Sequence, residues 1–89
     1  MEKVHKEILK KIIGGELKRF RENEIDMTQE EFSEITGLGP KHIGDIENGK
    51  KEIQIDTIFK LYNAGFDVNK AYEKVKKEFK DKGIDITKK

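Results

Sequence analysis

The sequence predicts an all-α fold, a compact bundle of about five short helices. Apolar residues recur at spacings of three and four, which is helical periodicity, with no convincing strand pattern. Residues that cap or end helices, namely Thr28, Gly37, Gly39-Pro40, Asn48-Gly49 and Gly65, divide the chain into short segments. The length of 89 residues suits one small domain, with no internal repeat or Pro-rich linker to divide it.

Val4, Ile8 and Ile12 lie four apart, and Leu9, Ile13, Leu17 and Phe20 continue the stripe to an end near Asn23. Gly14-Gly15 interrupts this helix and predicts a kink or break. Thr28 offers an N-cap, with Glu31 completing a capping box, and Phe32 and Ile35 are expected to form the buried face of the second helix. Pro40 suits the first position of a third helix, whose inner face carries Ile43 and Ile46. Asp56 is the expected cap of a fourth helix through Ile58, Leu61 and Tyr62. Asn69 is the expected cap of a fifth, ending near Lys82 and carrying Val68, Tyr72, Val75 and Phe79 at spacings of four, three and four. Ile84 and Ile86 alternate with polar residues, a weak strand signal.

Composition narrows the function. No Cys removes disulfides, thiolate catalysis and Cys-based metal sites. His5 and His42 are the only imidazoles and fall on different elements, so neither an enzyme nor a metal or cofactor site is expected. No apolar run reaches the ~18 residues of a membrane span, and the charged N-terminus is no secretory signal, so a cytoplasmic protein without membrane contact is expected. Net charge is +1, but residues 1–22 carry seven Lys/Arg and four Glu (+3), residues 23–69 four Lys and ten acids (−6), and residues 70–89 eight Lys and four acids (+4). Any basic face must therefore be assembled locally. Glu30, Glu31 and Glu34 read as a solvated helix face.

Gly37-Leu38-Gly39 lies between the second and third helices. Two helices meeting steeply across a tight turn need a small residue in the first, a turn glycine and apolar anchors in the second. Ser33, Gly37 and the trio Leu38, Ile43 and Ile46 stand at that spacing. The string TQEEFSEITGLGPKHIGDIENGK, residues 28–50, thereby resembles the Xre/Cro, or lambda-repressor-like, helix-turn-helix family, and the resemblance extends more loosely from Ile13 to Val68.

The resemblance implies a five-helix, often dimeric DNA-binding regulator that places its third helix in the major groove. It implies that Gln29 reaches a phosphate and braces the third helix, and that Pro40, Lys41, Gly44 and Asp45 face base edges. Asn48 matches a backbone-contacting position and Arg21 and Glu47 a structural ion pair; beside these, Lys50 and Lys51 are candidate phosphate clamps by their charge, and His42, next to Lys41, a candidate phosphate contact or an ordinary surface histidine. Domain boundaries follow: an N-terminal helical extension (1–12), the helix-turn-helix domain (13–68, with the motif at 28–49), and a C-terminal helix and tail (69–89). Val68, Tyr72, Val75 and Phe79 are a candidate dimer interface.

The function expected is that of a small, sequence-specific, homodimeric repressor of transcription bound to double-stranded DNA. The alternative is a helix-turn-helix scaffold used for protein interaction, antitoxin-like or a switch protein, with a regulatory protein partner. Three features favour that alternative. Pro40 stands where a long polar reader is common, Asp45 brings an acid toward phosphates, and the middle of the chain is acidic. The segment Asn23 to Met27 also looks one residue longer than the family's loop.

Overall fold

A computed structural model describes residues 2–86. Helix α1 spans Lys3–Arg19 and runs into a wide π-helical turn, Phe20–Glu24. Then follow α2 (Gln29–Thr36), α3 (Pro40–Glu47), α4 (Ile55–Asn63) and α5 (Val68–Asp81). No strand occurs among the described residues, Ile84 and Ile86 included.

The main core gathers Leu17, Phe20, Phe32, Leu38, Ile43, Ile46, Leu61, Phe66 and Ala71, drawn from all five helices and their connections. Fully burying a large apolar side chain such as Leu17, Phe32 or Ile43 contributes about 1.5–3 kcal/mol. A second cluster, Ile13, Val75 and Phe79 with Ile8, Leu9 and Ile12 against it, fastens the first half of α1 to α5.

The glycine pair does not break α1. An added Cβ on Gly14 would collide with the Ile46 carbonyl oxygen and lie 2.9 Å from that of Glu47, whereas Gly15 meets nothing. Gly14 is thus a crossing point where α1 passes tightly over the end of α3. Flanking apolar packing outweighs the propensity cost.

Arg21 is carried by the wide turn, in which Ile25 N–H reaches the Phe20 carbonyl at 3.1 Å and Met27 N–H the Arg21 carbonyl at 2.9 Å. Its Nε donates to Glu47 Oε2 at 2.6 Å, Nη2 to Glu47 Oε1 at 3.0 Å and Nη1 to the Met27 carbonyl at 2.8 Å. Both side chains are buried. The hydrogen bond to Glu47 raises the Arg21 guanidinium above its ordinary value, so it stays charged. Farther back on α1, buried Glu16 accepts from Lys74 of α5 at 2.6 Å and from Arg19 at 3.1 Å. Burial pushes the Glu16 carboxyl up, but the hydrogen bonds from Lys74 and Arg19 outweigh it and hold it below the usual range.

Several local expectations are corrected. Ile35 is exposed, and the buried partner of Phe32 is Thr36, whose hydroxyl donates to the Phe32 carbonyl at 2.8 Å and accepts from Leu38 N–H at 3.1 Å. Asp56 lies inside α4, which starts from Gln54 without a side-chain cap bond. Asn69 is likewise inside α5, which Asp67 caps by accepting from Lys70 N–H at 2.9 Å.

These contacts make three outcomes measurable by urea denaturation. Gly14→Ala should destabilise by roughly 1–3 kcal/mol through overpacking, and Gly15→Ala should stabilise by roughly 0.5–1 kcal/mol; equal effects would deny the tight crossing. Arg21→Ala should cost about 3–5 kcal/mol by stranding the Glu47 charge, with Arg21→Met/Glu47→Leu recovering much of it. Glu16→Gln should cost roughly 1 kcal/mol at pH 7. Because the folded-state carboxyl is depressed, wild-type Glu16 contributes fully above its unfolded value of about 4.3 and loses the contribution as pH falls through the folded value. The gap should therefore close as the medium is acidified below the ordinary carboxylate range, and a gap indifferent to pH would remove the carboxylate's role.

Candidate nucleic-acid interface

The capping box at the head of α2 is complete: Thr28 Oγ1 accepts from Glu31 N–H at 3.1 Å, and Glu31 Oε1 accepts from Thr28 N–H at 2.9 Å. Hydrogen bonding from the Thr28 backbone and then its side chain lowers the Glu31 carboxyl. The box spends one acid of the solvated α2 face on the backbone and sets where Gln29 starts.

Gly37, at φ +77°, closes α2 in the left-handed conformation and its N–H reaches the Ser33 carbonyl at 2.9 Å. The Ser33 hydroxyl donates to the Leu38 carbonyl, so this small residue also braces the turn. Pro40 stands at the first turn of α3, where no backbone donor is needed. Ile43 and Ile46 turn inward with Leu38, leaving Pro40, Lys41, Gly44 and Asp45 toward the outside.

On that face, Lys41 is 90% exposed at its side chain. Pro40, Asn48, Lys50 and Lys51 are exposed, and Gln29, His42, Gly44 and Asp45 are half-buried. Gln29 crosses to α3, donating from Nε2 to Glu47 Oε1 at 3.1 Å and lying against Gly44, where an added Cβ would sit 3.4 Å from that nitrogen. Gln29, Arg21 and Glu47 thus meet in one network that sets the rotation of α3. Asp45 is held by Lys41 Nζ at 3.3 Å and Lys51 Nζ at 4.0 Å, so its acid is matched by two cations on the same surface.

The structure adds Lys11, which sequence reasoning passed over. Gly49, at φ +70°, lies against α1 so closely that an added Cβ would stand 3.2 Å from Lys11 Cγ. This places the exposed Lys11 beside Asn48 and Lys50. The signal was helix continuity: with no break at Gly14-Gly15, Lys11 and Gly14, three residues apart, share the face of α1 that crosses α3.

The face is therefore a short helix bordered by the exposed Lys11, Lys41, Lys50 and Lys51, chemistry suited to phosphates and base edges. Among the described residues, no group of three or more His, Cys, Asp or Glu could hold a metal, and no helix is long and apolar enough to cross a membrane. His5 packs near the Phe79 ring at 6.0 Å, away from His42. Of the four candidate dimer residues, Val75 and Phe79 are buried within the chain, Val68 packs against the core and Tyr72 alone is exposed.

No curated protein and no solved structure matches the chain. The helix-turn-helix family model matches residues 17–64, just over half of the 89. With α2, the glycine turn and α3 inside that match, the chain belongs to the Xre/lambda-repressor-like helix-turn-helix family of DNA-binding regulators.

Proposed function

We propose that this chain is a sequence-specific transcriptional repressor that works in the cytoplasm as a homodimer and inserts α3 into the major groove of double-stranded DNA. The observation that carries the reading is the network of buried Arg21 and Glu47 with half-buried Gln29, which ties the end of α3 to the elements before it. A reader of base edges needs such pre-orientation, because specificity is lost when the helix can roll.

In this reading Lys41 contacts a guanine O6/N7 or a phosphate, and Asn48, Lys50 and Lys51 contact the backbone, with His42 beside them. Gln29 contacts a phosphate while bracing α3. Pro40 and Gly44 shape the approach to the groove, supplying contact area rather than donors. Asp45 holds Lys41 and Lys51 in the free protein, and release of those lysines to DNA leaves it available to a cytosine N4. Residues 13–68 form the reading domain. The N-terminal extension assists through Lys11, at its border.

The protein-interaction alternative draws on Asp45, an acid at the surface that would face phosphates. Fluorescence anisotropy separates the two readings, using a duplex from the protein's own upstream region and a scrambled duplex at about 50 and 200 mM salt. Preference for the upstream duplex with a steep fall in affinity supports the repressor. Absence of binding from folded protein favours the alternative.

Two variants sharpen the test. Lys41→Ala should weaken the specific complex more than tenfold with the thermal midpoint nearly unchanged. Lys11→Ala should reduce the salt slope by about one without altering sequence preference; an unchanged slope would remove Lys11 from the interface.

A further inference from the structure

Helix α4 shows solvent an apolar stripe that the described residues leave uncovered. Ile55, Phe59 and Tyr62 are 89%, 64% and 65% exposed, while Thr57 and Leu61 on its other side are buried. Their spacing of four and three sets them in one line along the helix. Together they leave on the order of 400 Å² of side chain in water, as much as the largest apolar patch of a typical monomer, here gathered on one helix face.

The geometry points to a second copy of this chain as the occupant, packed α4 against antiparallel α4 about a two-fold axis. The argument is charge and shape. Asp56 and Lys60 are both exposed and lie along the same flank of the stripe, between its ends. A two-fold axis passing midway between Ile55 and Tyr62 reverses the partner helix, so Asp56 of each copy comes within one residue's rise of the other's Lys60. Ile55 of each copy then covers Tyr62 of the other, and the two Phe59 rings meet near the axis. This self-complementarity is what an isologous contact requires. Two such patches, with their polar rims, reach about the 1,000 Å² lower limit of a specific interface, so the dimer should be weak and reversible.

On α5, by contrast, Val75 and Phe79 are in the core, and Tyr72 is less exposed than any of the three α4 residues. The inference supplies the two-fold contact that the proposed repressor needs. Self-association is measured without DNA, so the two proposals fail separately.

Sedimentation equilibrium of the full chain from about 1 to 200 µM tests it. Wild type should pass from monomer to dimer across that range. Phe59→Glu should weaken association at least tenfold with unchanged far-UV circular dichroism. Asp56→Lys and Lys60→Asp should each weaken it, and the double swap Asp56→Lys/Lys60→Asp should restore it. Tyr72→Glu, on α5, should leave it unchanged. A monomer throughout, a dimer indifferent to Phe59→Glu, or one broken by Tyr72→Glu would overturn the proposal.

Discussion

The arrangement of this protein depends on one buried ion pair. Two charges removed from water are tolerable only when both are paired and their remaining hydrogen-bonding capacity is used. Arg21 meets that condition by gripping Glu47 through two nitrogens and the Met27 carbonyl through a third, while Gln29 supplies Glu47 with another donor. The last residue of α3 is thereby tied to the end of α1, the head of α2 and the loop between them. Gly14 completes the constraint by letting α1 cross α3 at backbone contact. A close crossing on α1 and a clamp in the wide turn that follows it leave α3 little freedom to roll or slide.

The same network changes how the charge pattern is understood. Residues 23–69 carry six more acids than bases, which by count is a poor surface for nucleic acid. Several of those acids are engaged. Glu47 is buried with Arg21, Glu31 closes the capping box, Asp45 sits between Lys41 and Lys51, and Glu52 is 3.7 Å from Lys6. Lys11 enters the surface from a distant part of the chain. Segment charge and surface charge therefore diverge, because burial and pairing decide which charges a ligand meets.

The readable parts of the fold were those whose causes are local. Thr28 and Glu31 cap a helix within four residues, Gly37 supplies a left-handed backbone angle, and Pro40 starts a helix where its missing N–H is harmless. The misread parts were close decisions between neighbours. Asp67 and Asn69 are both good caps two residues apart, and the docking of α5 selects the first. Ile35 is more apolar than Thr36, yet Thr36 is buried because its hydroxyl satisfies two backbone groups that the turn leaves there. The glycine pair reads as a break from propensity alone, although one member is the condition for packing.

By itself the sequence determined the all-α class, the helix-turn-helix spacing from Thr28 to Lys50 and the family resemblance, because periodicity, caps and turn glycines act over a few residues. Only the tertiary structure decided that α1 runs unbroken through Gly14-Gly15, that Lys11 stands beside Gly49, and that Ile55, Phe59 and Tyr62 remain in water while Val75 and Phe79 do not. Those outcomes depend on which faces of distant helices meet, and helical periodicity says that a face is apolar without saying what covers it.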